Sequence, residues 1–148
     1  MYRIGSNTKN WGATFIGDVT IGNDCILGNG VRIEGNVTIG NKCKVQNYAL
    51  IYGDCEIGSG VFIGPGAIIT NDKYPHATNP DGTVQRDGQW ERGHTVIMPN
   101  ATIGAGAILI AGVVVGAGAM VGAGAVVTHD VPEGATIVGN PARLIEYD

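Results

Sequence analysis

The chain has 148 residues, 25 of them glycine, more than twice the usual share of about 7%. Charged residues make up 15% and hydrophobic residues 44%, which excludes a disordered tail, and glycine without a strict three-residue period excludes collagen. The net charge is −4 with no basic block, so nucleic acid is not an expected partner.

No apolar run approaches the roughly 20 residues of a membrane span, so no membrane association is expected. Met1-Tyr2-Arg3-Ile4-Gly5 lacks the apolar stretch of a signal peptide,. Three cysteines without a CxxC point to reduced thiols and a cytoplasmic protein.

From Lys9 the chain repeats in sixes. The first position reads Phe15, Ile21, Leu27, Ile33, Ile39, Val45, Ile51, Ile57, Ile63 and Ile69, then resumes at Ile97, Ile103, Leu109, Val115, Val121 and Val127. Four places on, all sixteen uninterrupted repeats carry Ala, Val or Cys. The fourth position is Gly, Asn or Asp in fourteen of the sixteen, with Lys42 and Tyr48 the exceptions. A helix needs apolar spacing near 3.6, and a simple strand alternates over longer runs. Each hexad therefore holds a very short strand and then a bend, because Gly, Asn and Asp tolerate a left-handed backbone. Three hexads to a coil stack residues 18 apart into a triangular parallel β-helix. Roughly 17 hexads at about 4.8 Å per layer make under six coils, a prism of about 27 Å. Cys25, Cys43 and Cys55 occupy the small inward position, where cysteine packs as an inert hydrophobe.

Taken in chain order, the whole of residues 1–148 reads as one domain. Coils fill about 9–71, an ejected loop about 72–94, further coils about 95–132, and a short C-terminal tail 133–148. The loop begins Asn71-Asp72-Lys73-Tyr74-Pro75-His76 and holds two of the three histidines, Trp90 and many charges. Excursions beyond about 15 residues are uncommon and often functional. One outward column stacks Gly17, Gly35 and Gly53 beneath Asn71. That bare backbone lets a ligand approach, with an amide at its end to orient a polar group. A second column stacks Asn23, Asn41 and Ser59, and a third, beyond the loop, pairs Ala105 with Ala123.

Thr70-Asn71-Asp72-Lys73-Tyr74-Pro75, Val121-Gly122-Ala123-Gly124-Ala125-Val126-Val127-Thr128 and the closing Gly139-Asn140-Pro141-Ala142-Arg143 resemble the hexapeptide-repeat acyltransferases. The resemblance covers essentially the whole chain. With Val45-Gln46-Asn47 and the opening Ile4 to Trp11, it is closest in kind to the branch that N-acylates amino groups of nucleotide-linked sugars. The resemblance implies a left-handed solenoid, all-β, assembled as a homotrimer with active sites between adjacent prisms. It implies acetyl-CoA as co-substrate, no permanently bound cofactor and no metal. Ala105 and Ala123 match positions along the pantetheine arm, and Thr128, His129 and Arg143 match contacts to the outer part of CoA. Gln46, Asn47, Asp72 and Tyr74 fall on the sugar-substrate side.

In the implied reaction a neutral amine attacks the thioester carbonyl. Asn71 orients the amine and His76, with a reference pKa near 6.5, is the candidate base. The N–H of Gly112 is the candidate oxyanion donor. His76 and Gly12 differ from residues common in that branch. An O-acetyltransferase of the same family is the alternative. A carbonic-anhydrase-like metalloenzyme needs three converging histidines, and no close pair exists among His76, His94 and His129. A non-catalytic solenoid needs a regular outward lattice, but below Thr20 and Thr38 the next residue is Glu56.

Overall fold

The large residue at the head of each hexad points into a triangular interior, and the stacking of these residues builds the fold. The structure, a computed structural model, describes residues 1–145. The chain forms a left-handed parallel β-helix with three faces. The first face stacks Tyr2–Ile4, Val19–Ile21, Val37–Ile39, Cys55–Ile57, Thr95–Ile97 and Val114–Val115. The second stacks Lys9–Asn10, Ile26–Leu27, Lys44–Val45, Phe62–Ile63, Thr102–Ile103, Met120–Val121 and Thr136–Val138. The third stacks Thr14–Ile16, Arg32–Glu34, Leu50–Tyr52, Ile68–Ile69, Ile108–Leu109 and Val126–Val127. Registers such as Val19 on Val37 and Ile33 on Ile51 keep like residues above one another.

The first turn begins at Tyr2, ahead of the visible six-residue frame, with the Tyr2 and Phe15 rings 5.0 Å apart. At the far end, Arg143–Leu144 folds back antiparallel on Thr136–Val138. The last three residues of the 133–148 tail lie outside the described residues. Large and small inward residues alternate in the core, as with Leu27 beside Cys25 and Val31, all fully buried. The three cysteines are free and buried. The Cys43 thiol donates to Gly58 O at 3.1 Å. Burial pushes the Cys43 thiol up, and the Cys55 thiol up to about 12.

The bends follow the fourth hexad position at two of the three corners. Asp24, Lys42, Tyr48 and Asn100 all take φ near +60° there, so even the two residues outside the Gly/Asn/Asp rule obey the geometry. Before the loop, the corner from the third face to the first differs. It passes in two residues, as Gly35-Asn36 between Glu34 and Val37, where other corners use four, as Gly28 to Val31. The left-handed residue is then the third of the hexad: Gly17 at φ +80° and Gly35 at +87°. A non-glycine residue is strained there. The Asn23, Asn41, Ser59 column is a ladder. Ser6, Asn23 and Asn41 N–H groups donate to the next side-chain oxygen at 2.7, 2.8 and 2.9 Å.

Candidate active site

The tight glycine corner leads directly to Asn71, where the solenoid opens into the loop. Gly93 N–H donates to Asn71 O at 2.9 Å, so the loop leaves and returns through one point. The loop is internally braced. Thr78 and Val84 form an antiparallel bridge, and Gln89 Oε1 accepts from Asn79 Nδ2 (3.0 Å) and Arg86 N–H (2.8 Å). Arg92 is ion-paired with Asp87, and its guanidinium lies 5.5 Å from the Trp90 ring centre. The Arg92 hydrogen bond, with its charge, holds the Asp87 carboxyl below the usual carboxylate range. The returning arm is therefore a fixed wall.

That wall encloses the bare corner. A groove of about 680 Å³ runs beside Gly17 and Gly35, with Asn71 at its end and Tyr52, Glu34 and Trp90 among its walls. A second recess of about 410 Å³ lies under the loop, lined by Asp72, Lys73, Tyr74 and Ala111, and shares Trp90 and Arg92 with the first. A ligand in the groove meets an aromatic wall, amide groups and exposed glycine backbone, a surface suited to a sugar ring or amine. Glu34 and Tyr52 stand one place before Gly35 and Gly53, so the same 18-residue stacking carries the signal for them. Trp90 and Arg92 lie in the irregular loop, where no period places a side chain.

The expected site residues separate into groups. Asn71 lines the groove; Asp72 and Tyr74 line the recess beside it, and Asp72 Oδ1 accepts from Tyr74 N–H at 3.2 Å. His76 is exposed on the loop and lines neither cavity. The Gly112 N–H, the expected oxyanion donor, has a partner within the chain. It donates to the buried Thr95 hydroxyl at 3.1 Å.

Gln46 and Asn47 lie at another corner, between the second and third faces, and Asn47 Oδ1 accepts from Asn29 N–H at 3.0 Å. Ala105 and Ala123 lie on that same corner, above Pro65 and Asn47, joined by the bonds Gly66 N to Asn47 O, Gly106 N to Pro65 O and Gly124 N to Ala105 O. Thr128 and His129 instead follow Val127 on the Asn71 corner, bonded to each other at 3.0 Å through Oγ1 and Nδ1. Arg143 sits on the folded-back strand at the end of the second face. His94 is held by Glu56 at 2.9 Å. Among the described residues no three His, Cys, Asp or Glu side chains converge as metal ligands. No helix among them is long and apolar enough to cross a membrane.

The family profile described as bacterial transferase hexapeptide (six repeats) matches residues 36–71 and 94–129, and that of the hexapeptide repeat of succinyl-transferase matches 18–47. The chain belongs to the hexapeptide-repeat transferases. The larger match stops at Asn71 and resumes at His94, so it brackets the loop that forms the groove wall. Among curated relatives, a serine acetyltransferase from Buchnera aphidicola (subspecies Schizaphis graminum) is 40% identical over 89 residues, 60% of this chain and 33% of that protein. Among solved structures, WeeI from Acinetobacter baumannii AYE superposes with a TM-score of 0.73 at 30% identity, covering 93% of this chain and 57% of that one. A point mutant of AntD, an N-acyltransferase from Bacillus cereus, in complex with dTDP-4-amino-4,6-dideoxyglucose and coenzyme A, gives 0.83 at 25% identity, covering 97% and 82%. The chain thus spans one third of the curated relative and just over half of WeeI.

Proposed function

We propose that this hexapeptide-repeat protein is an acyl-CoA-dependent N-acyltransferase acting on the amino group of a nucleotide-linked amino sugar. The observation that carries this reading is the groove beneath Asn71, formed on the fold that AntD uses with an amino-sugar nucleotide and coenzyme A. The neutral amine attacks the thioester carbon while Asn71 accepts a hydrogen bond from it and fixes its approach. The tetrahedral oxyanion then collapses, the C–S bond breaks, and CoA leaves as the thiolate, which takes up the proton the amine releases. Acetyl-CoA is the co-substrate.

The two corners explain why a homotrimer belongs to the reading. The Asn71 groove and the Ala105–Ala123 corner with Gln46 and Asn47 lie at different edges of one prism. A neighbour related by a three-fold axis sets the second corner of one chain against the first corner of the next. Sugar side and CoA side then meet between subunits. Arg143 offers a cation to CoA phosphate. A cytoplasmic location fits this co-substrate and the three free thiols,.

The test is CoA-thiol release with acetyl-CoA and a panel of nucleotide-linked 3- and 4-amino sugars. Release with an amino sugar, and none with the corresponding hydroxy sugar, is expected; no release with any amine contradicts the reading. The serine acetyltransferase relative keeps one second reading open, O-acetylation, and release with hydroxyl acceptors alone selects it. His76 is exposed and lines neither cavity, so His76→Ala is expected to hold kcat within about threefold at pH 7. A loss beyond about a hundredfold, the size of a lost general base, would instead assign the base to His76.

A further inference from the structure

From Gly124 down to Gly66 the corner that carries Ala105 and Ala123 forms a bare track, which ends at one side chain. Its fourth hexad position reads Gly12, Gly30, Tyr48, Gly66, Gly106 and Gly124, turn by turn. At Gly66, Gly106 and Gly124 an added Cβ would meet nothing within 4 Å. Tyr48 stands in this glycine column at φ +62°, a conformation that a bulky side chain adopts only at an energetic cost. Its side chain is 63% exposed, with the ring against Gly30, where a Cβ would run into Cδ1 and Cε1. The fold does not require this ring. The corner asks only for a left-handed residue, and Gly66, Gly106 and Asn100 supply one elsewhere.

We propose that Tyr48 ends the track and sets the acyl-chain length, so that the enzyme accepts short acyl groups and rejects long ones. This rests on the transferase reading above. An arm lying along Ala123 and Ala105 toward the N-terminal turns reaches the turn that holds both Gly66 and Asn71. Chains related by a three-fold axis parallel to the prism present the same turn at the same height. The thioester carbon beside one chain's Gly66 is then level with its neighbour's Asn71. The acyl carbons continue toward the next turn, about 4.8 Å away, and that turn carries Tyr48. An acetyl group stops short of the ring, whereas a hexanoyl chain runs into it. Beyond Tyr48 the column continues at Gly30, which only the Tyr48 ring covers, and is closed at Gly12 by the Asn29 side chain, so removing the ring opens one further turn.

The experiment measures kcat/KM by thiol release for acetyl-, butyryl- and hexanoyl-CoA with one amino-sugar acceptor. Wild type, Tyr48→Gly and Tyr48→Phe are compared. Wild type is expected to lose at least about tenfold from acetyl to hexanoyl, the scale on which a closed pocket discriminates added methylenes. Tyr48→Gly should bring that ratio to within about threefold, and Tyr48→Phe should keep the wild-type ratio. Tyr48→Asn, which also tolerates the left-handed corner, provides a second folded variant, and cooperative thermal melting confirms the fold of each. A folded Tyr48→Gly or Tyr48→Asn with the wild-type chain-length ratio overturns the proposal, as does a wild type that uses hexanoyl-CoA as well as acetyl-CoA. No release by wild type from any donor overturns the transferase reading itself, and this inference with it.

Discussion

Asn71→Ala is expected to lower kcat/KM by about two to three orders of magnitude, the usual cost of losing a group that orients the reacting atoms. Its melting temperature should stay at the wild-type value. The separation of activity from stability follows from what the residue does. Its side chain lines the groove, while its backbone carbonyl, which alanine retains, holds Gly93 N–H at 2.9 Å and so keeps the loop closed. Asn71→Asp is a sharper companion. It keeps the shape and an accepting oxygen but adds a negative charge, which favours the protonated, non-nucleophilic form of the amine, so kcat should fall at pH 7 and recover in part as the pH rises. Cys43→Ala is the control. That thiol is buried, away from every cavity, and burial pushes its pKa up, so its removal should leave turnover nearly intact. A Cys43→Ala loss equal to that of Asn71→Ala would contradict the assignment of chemistry to the loop corner.

Ile63→Ala is expected to cost about 3 to 4 kcal/mol of stability, in the upper part of the range for large-to-small core changes. Ile63 is 1% exposed and is paired between Val45 below and Ile103 above. A β-helix interior is walled on three sides by hydrogen-bonded strands, so it has little freedom to collapse onto a vacated volume. Each turn touches only its neighbours, and no distant element can fill the space. Met120 lies on the same face but points outward and is 50% exposed. Met120→Ala should therefore change stability by less than about 1 kcal/mol. Urea unfolding of the three proteins at one fixed concentration makes the comparison, so that any self-association weighs equally on each. Equal effects for Ile63 and Met120 would mean that the large hexad position is not the core.

The fold was legible because its period is short and its geometry repeats. Six-residue spacing placed the inward residues, and the corner residues followed from the need for φ above zero. The exceptions are instructive. Lys42 and Tyr48 break the compositional rule yet adopt the left-handed corner, since strand pairing on both sides dictates the backbone whatever the side chain. The glycine column was visible for the same reason, as three residues 18 apart. Its left-handed bend shifts by one residue because that corner is shorter, and composition alone does not reveal corner length.

The site was less legible because the loop interrupts the phase. Ile69 pairs with Leu109 rather than with Asp87, where an unbroken period would land. The loop also supplies Trp90 and Arg92, whose positions depend on bracing by Asp87, Gln89 and Asn79. The partner of the Gly112 amide was not legible because Thr95 stacks beneath it only where the loop ends and the next turn begins. Motif matching joined Ala105, Ala123, Thr128 and His129 into one CoA set, but three-sided stacking places them on two corners. That division makes a neighbouring chain part of the account.

Subunit complementation tests the shared site most directly. Asn71→Ala removes the sugar-side corner, and Ala123→Trp blocks the exposed CoA-side corner. Each variant alone should be nearly inactive. Co-expressed in equal amounts with different tags and purified through both, they should recover about a third of wild-type thiol release, because every mixed trimer keeps one of its three sites with both corners intact. A mixed assembly as inactive as either parent would contradict the account and place both halves of the site on a single chain.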